Sequence, residues 1–218
     1  MLFRSPYNAN LAAKAKDGTP FKRPENGLFR PDSQFKEFYF DETGDTNATS
    51  PENACCGGWT SVFKLTQSDP SADRGTLSLF YKGDAAHAGF DNVAFLSKDL
   101  ITFGEDAGDT LHGQRNALDS AVVLDTRSDY SDPGNQPVRW LAEGRDASAT
   151  LDAANGGFGK NDQDNEITGL YVSDGDPTRG GILGFHIPHP WQGEHGDHAW
   201  RVFYTQQHGD NVTHEVVR

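Results

Sequence analysis

The feature that most restricts the fold is a short segment that recurs three times: EFYFDETGDTN at 37–47, LITFGEDAGDT at 100–110 and RVFYTQQHGDN at 201–211. Each copy is an aromatic-containing strand pattern, a polar pair and then Gly-Asp, which puts Asp45, Asp109 and Asp210 at matching points. Upstream of each copy lies a second recurring segment, PENGLF at 24–29, FDNVAF at 90–95 and NEITGLYV at 165–172. In each of these an acid leads into a short apolar run, and the acids are Glu25, Asp91 and Glu166. Self-similarity on this scale marks repeat architectures, where each unit buries its apolar face only against its neighbours.

Further short runs of aromatic and β-branched residues lie between turn signals, the pattern of strands. They predict strands at Phe35–Phe40, Ser61–Thr66, Thr76–Tyr81, Asn92–Leu96, Leu100–Phe103, Ala121–Asp125, Val138–Ala142, Thr168–Val172, Ile182–Phe185, Arg201–Thr205 and Thr213–Val217. Helical periodicity is confined to a short stretch near Asn10–Lys16. The chain is therefore expected to be all-β. A short strand with an acid at its mouth, an aromatic strand and one or two more is the order of a four-stranded propeller blade read outward from the centre. Three such units, about 21–85, 86–145 and 160–218 after an N-terminal segment 1–20, predict a partial β-propeller. Propellers typically close with 4–8 blades, so three are expected to be a fragment of a six-bladed ring. Open blade edges and faces must be covered, by missing N-terminal blades or by a second chain. Innermost strands line the channel, so Glu25, Asp91 and Glu166 in phase predict carboxylates converging on one axis. The competing reading of each acid alone is a turn residue.

Charge narrows the partners. The formal net charge is −13, from 32 acidic and 19 basic residues, which leaves no basic footprint for nucleic acid. Most of the acids serve solubility, and a subset is expected to bind a hard cation such as Ca²⁺ through oxygen ligands. Asn92 adds a neutral oxygen beside Asp91, and Asp164 stands near Glu166. Glu105, in the acid-dense GEDAGD, is a further metal candidate, although the spacing is not that of an EF-hand. Asp41, Glu42 and Asp106 end second strands and are expected at the surface. Arg115 is expected either to pair with Asp119 or to reach phosphate. Of the eight histidines, His87 leads toward the predicted channel, and His208 ends a strand where it would reach a substrate phosphate. No serine triad or phosphate-binding loop is present. The adjacent Cys55 and Cys56 make neither a disulfide framework nor a zinc site. No membrane-spanning run occurs, and MLFRSPYNAN lacks the apolar core of a signal peptide. The expectation is a cytoplasmic chain or one lacking its true N-terminus.

Taken in order, three motifs bring a family into view. Arg23-Pro24-Glu25 resembles the R-P-E motif of the PhoX-type alkaline phosphatases, Glu166-Ile167-Thr168-Gly169 resembles their E-x-T-G, and Val202–Gly209 is similar to their L-F-V-N-x-Q-H-P-G. Phe90-Asp91-Asn92-Val93, followed by Asp99-Leu100-Ile101, is a looser match to a blade pattern of that family. The resemblance, over about Phe21 to Val212, implies the C-terminal half of a large secreted propeller. That family hydrolyses phosphate esters with two ferric ions and several calcium ions in its channel. It implies Glu25 as a metal ligand, Arg23 on phosphate, Fe³⁺ and Ca²⁺ as cofactors and a phosphorylated small molecule as substrate. The family's N-C-x-G-G and W-G-T-W motifs have no counterpart in the right place, so the iron core is expected to be incomplete and the chain inactive alone. The alternative is a non-catalytic, calcium-stabilised propeller or a binding module.

Overall fold

The structure, a computed structural model, describes residues 8–51, 58–106, 108–115, 119–142, 166–173, 201–207 and 211–216. Their strands form three antiparallel sheets in sequence order. Sheet 1 holds β1 (Pro24–Phe29), β2 (Glu37–Glu42), β3 (Ser61–Thr66) and β4 (Thr76–Lys82). Sheet 2 holds β5 (Phe90–Phe95), β6 (Leu100–Glu105), β7 (Ser120–Asp125) and β8 (Val138–Ala142). Sheet 3 holds β9 (Glu166–Ser173), β10 (Arg201–Gln207) and β11 (Thr213–Val216). Each strand pairs with the next in its own sheet, and β5 lies beside both β1 and β9. The all-β expectation holds. The run predicted at Ile182–Phe185 falls outside the described residues.

Two cores join the sheets. Between sheets 1 and 2, Tyr39, Val62 and Tyr81 meet Phe90, Phe95, Phe103 and Val122. Tyr81 stacks on Phe90 at 5.7 Å between centroids, and Phe90 on Phe103 at 5.0 Å. Between sheets 2 and 3, Ala94 and Leu96 meet Ile167, Leu170, Val172 and Tyr204. Sheet 2 is thus covered on both faces, which explains why VAFL and AVVL read as continuous apolar runs where a half-solvated strand would alternate. Gly104 marks the tightest approach of sheet 3: a Cβ there would stand 2.9 Å from the carbonyl oxygen of Ile167 and 3.1 Å from its Cγ2. Gly104→Val is expected to lose about 1–3 kcal/mol by overpacking this junction, measured by urea unfolding. An unchanged midpoint would mean that the sheets are not held this closely.

Among the described residues, two helices flank the sheets. α1 (Ala9–Lys14) overlaps the stretch predicted at Asn10–Lys16, starting one residue earlier, and the Asn8 side chain caps it by accepting from the Leu11 N–H at 2.9 Å. α2 (Gly108–Arg115) was not expected. Its sequence, GDTLHGQR, has two glycines and one aliphatic residue, so it carries no amphipathic stripe. Burial of Leu111 against Ala88, with Ala48 and Trp59 packed around them, ties it to the body.

Candidate functional site

Three carboxylates converge where β5, β6 and β9 come together. Asp91 lies in β5, Asp106 follows β6 and Glu166 opens β9, and one oxygen from each lies within 4.8 Å of the others. Sequence phase anticipated Asp91 and Glu166. Asp106 is a correction: expected on a surface loop, it is drawn inward because its N–H donates to the Gly89 carbonyl at 2.7 Å, beside the start of β5.

Irregular pairing aims these groups. The β5–β6 ladder runs Phe90↔Glu105 and then Asn92↔Gly104, which leaves Asp91 as an extra residue. β1 has a similar shift between Pro24 and Gly27 opposite β2, and the β9–β10 ladder shifts between Phe203 and Thr205. A bulge re-aims side chains and is frequent beside functional sites. Gly169, at φ +58°, supplies the left-handed residue in the β9–β10 shift, and its N–H donates to Asn92 Oδ1 at 3.1 Å. Asn92 therefore acts as a clamp. Its Oδ1 also accepts from Thr168 Oγ1 at 3.4 Å, and its Nδ2 donates to Asp91 Oδ2 at 3.0 Å. The oxygen proposed for metal ligation is engaged in joining β5 to β9.

The trio holds like charges close together with partial loss of water. Burial, and then the nearby Asp106 and Asp91 charges, push Glu166 up to about 7. Burial also raises Asp91, against the opposing effects of the Thr43 hydroxyl and the Arg23 guanidinium. Asp91 and Glu166 share a hydrogen bond, so one carboxyl keeps a proton for the other. Gln207, directly across from Glu166 in the ladder, donates to its Oε2 at 2.7 Å.

Sheet 1 adds a carboxylate that the sequence reading placed at the surface. Asp41 is fully buried and Glu42 nearly so. The Asn26 N–H donates to Asp41 Oδ1 at 2.8 Å, while the Asn26 side chain donates to the Asp91 carbonyl at 2.6 Å. Asp41 Oδ2 is buried with no hydrogen-bond partner. Burial, with smaller contributions from the Asp91 and Glu25 charges, pushes this acid up to about 8. Both acids end up inside because the end of β2 is roofed by the start of β1. Glu42 accepts from the Lys22 N–H, and Thr43 N–H donates to the Arg23 carbonyl at 3.0 Å.

The remaining candidates divide. Arg23 and Glu25 are exposed at the start of β1, and Glu25 stands outside the trio. Arg23 has φ +55° although it precedes a proline; a non-glycine residue in the left-handed region costs about 1–2 kcal/mol, and residues before proline favour extended backbone. Glu105 does not join the trio. It is buried, with Arg115 Nη2 donating to its two oxygens at 3.1 and 3.2 Å and the Ala88 N–H donating at 2.9 Å. Arg115 thus pairs with Glu105, not with the sequence neighbour Asp119, because α2 folds back over the end of β6. Asp45 is held down to about 2 by Lys22 at 2.7 Å and by the Ser50 hydroxyl. His87 stands 3.2 Å from Asp84 Oδ1 and edge-on to Tyr81, engaged away from the trio. His208, Asp164, Asp210, Cys55 and Cys56 lie outside the described residues.

Among the described residues, the cluster consists of three carboxylates with no imidazole or thiolate, a donor set for a hard cation. Ca²⁺ coordinates oxygens at about 2.3–2.6 Å, so oxygens spread over the observed separation can share one ion, with carbonyls or water filling the shell. Fe³⁺ is also a hard cation and takes the same oxygen donors. Comparison of this chain with protein-family models, with curated proteins and with solved structures finds no match.

Proposed function

We propose that the three sheets are consecutive blades of a β-propeller and that the chain binds a hard divalent cation, Ca²⁺ by its donor chemistry, at Asp91, Asp106 and Glu166. The observation that carries this reading is the trio itself, with its oxygens within 4.8 Å of one another. Such crowding is unfavourable for bare carboxylates and is relieved by a cation. The propeller reading draws support from the strand order in each sheet and from β5 lying between β1 and β9. Calorimetric titration of the full chain with CaCl₂ is expected to give saturable binding, weakened about tenfold or more by Glu166→Gln. Binding that is unchanged in that variant sinks the assignment.

A second reading, phosphate ester hydrolysis at the same centre, is favoured by one observation. The Arg23 guanidinium, on strained backbone, is close enough to Asp91 to offset part of the rise that burial imposes on its carboxyl. A guanidinium can grip two phosphate oxygens at once, and a bound cation would supply Lewis-acid charge on the same group. This is the activity that the PhoX-type resemblance implies. Release of p-nitrophenolate from p-nitrophenyl phosphate with Ca²⁺ or Fe³⁺ is expected to fall about 10²-fold or more in Arg23→Ala. Absence of turnover with either metal removes this reading and leaves the cation site standing.

A further inference from the structure

Sheet 1 is apolar on both faces. Tyr39, Val62 and Tyr81 are buried against sheet 2. On the other face, β1–β2–β3–β4 registers align Phe29, Phe38, Leu65 and Leu77 in one row, and Phe40, Phe63 and Leu79 in the next. The rings touch along the sheet: Phe29–Phe38 at 4.9 Å and Phe40–Phe63 at 5.3 Å, with Phe21 and Phe35 set edge-on at the margins. Yet Phe29 is 39% exposed, Phe35 54%, Leu77 44% and Leu79 53%. An antiparallel sheet with one wet face alternates apolar and polar residues; a continuous apolar face of this size marks an interaction surface.

The other end of the stack is also open. Leu170, Val172 and Tyr204 of sheet 3 pack on sheet 2, while Tyr171 is 65% exposed and lies directly across from Phe203. Glu215 continues that row on the far side of Phe203, and in the next row Thr205 and Thr213 share one hydroxyl–hydroxyl hydrogen bond at 2.9 Å.

We infer that a second copy of this chain covers both faces at once, sheet 1 of each copy seating on sheet 3 of the other around a twofold axis that runs down the space lined by β1, β5 and β9. The inference rests on the propeller reading. Within one chain, sheet 1 stacks on sheet 2 and sheet 2 on sheet 3, each with its first strand beside the next. The step from sheet 3 to a partner's sheet 1 repeats that packing, and two copies give six sheets, inside the range in which propellers close. Twofold pairs are the commonest assembly. Each face spans roughly 300–400 Å² from strand spacing and rise. Two junctions then bury roughly 1,200–1,600 Å² in total, the size of a standard stable interface.

Sedimentation of the full chain is expected to give a dimer of twice 23.8 kDa. Leu79→Glu and Tyr171→Glu, each verified as folded by circular dichroism, are expected to weaken dimerisation about tenfold or more, since each adds a buried carboxylate to the junction in place of an apolar or aromatic contact. An equimolar mixture of the two variants recovers dimer, because one junction in the mixed pair is wild type on both sides. A folded wild-type monomer at every concentration overturns the inference. So does a Tyr171→Glu variant that dimerises like wild type, which would place sheet 1 against sheet 1. The cation site lies within one chain, so Ca²⁺ titration of the same samples reports on that reading separately.

Discussion

Saturating Ca²⁺ is expected to raise the thermal midpoint of this protein by about 5–10 °C, and Glu166→Gln to remove the gain. A ligand at about 100 times its dissociation constant stabilises by about 2.7 kcal/mol, and about 2–4 °C accompany each kcal/mol in a chain of this size. The gain should depend on pH. The relevant groups are Asp41, Asp91, Asp106 and Glu166, with Glu25, Asp119 and Arg23 around them. Glu166 is pushed to about 7 and Asp41 to about 8, from ordinary values of 4.5 and 3.8. Between the ordinary carboxylate range and those raised values, the folded chain holds protons that the unfolded chain has released. Stability without cation therefore falls as pH rises through that window and levels off above it. Ca²⁺ must displace the same protons, so its effect should be small near about pH 5 and large near about pH 8. Differential scanning fluorimetry at the two pH values, with and without CaCl₂, is the measurement. A shift of equal size at both, surviving Glu166→Gln, would put the bound ion elsewhere.

Arg115→Ala should be the most damaging single change outside the trio, at about 3–5 kcal/mol, because it leaves a buried carboxylate without its cation. The Arg115 side chain is fully buried; besides Glu105 it donates through Nε to the Ala85 carbonyl at 2.9 Å and through Nη2 to the Ala86 carbonyl at 3.1 Å. It therefore ties α2 to the turn before β5 and to the end of β6 together. Lysine cannot reproduce that fork, so Arg115→Lys should recover little. Burial already pushes Glu105 up to about 7 with the arginine present. Without it the acid is raised further, and the cost should shrink toward about pH 5, where Glu105 takes up a proton, and grow as pH rises. Urea unfolding of wild type and variant at both pH values tests this. Equal losses would mean that the charge of Glu105 is not what the arginine serves.

The Gly-Asp repeat and the acids upstream of it were visible in the chain, and so were most strands. Ser61–Thr66 and Val138–Ala142 form with the predicted bounds, because alternation and turn residues bracket them tightly. Asp91 and Glu166 could be paired from phase, since they stand at the start of β5 and β9, first strands of their sheets that lie side by side. Asp106, Asp41 and the Glu105–Arg115 pair could not. Each depends on a ladder shift or on a helix too glycine-rich to announce itself, and neither leaves a periodic trace.

What the sequence by itself determined is the all-β class, the threefold repetition and the two first-strand acids that meet, because strand patterning and repetition are local properties that survive without tertiary contacts. Only the tertiary structure decided which carboxylates lose water and which keep it. Asp41 and Glu105 are sealed by β1 and α2, while Glu25, in the same strand phase as Asp91, stays exposed. Burial, and with it every raised pKa in the site, depends on what covers a residue from another part of the chain, and no window of sequence around that residue contains the answer.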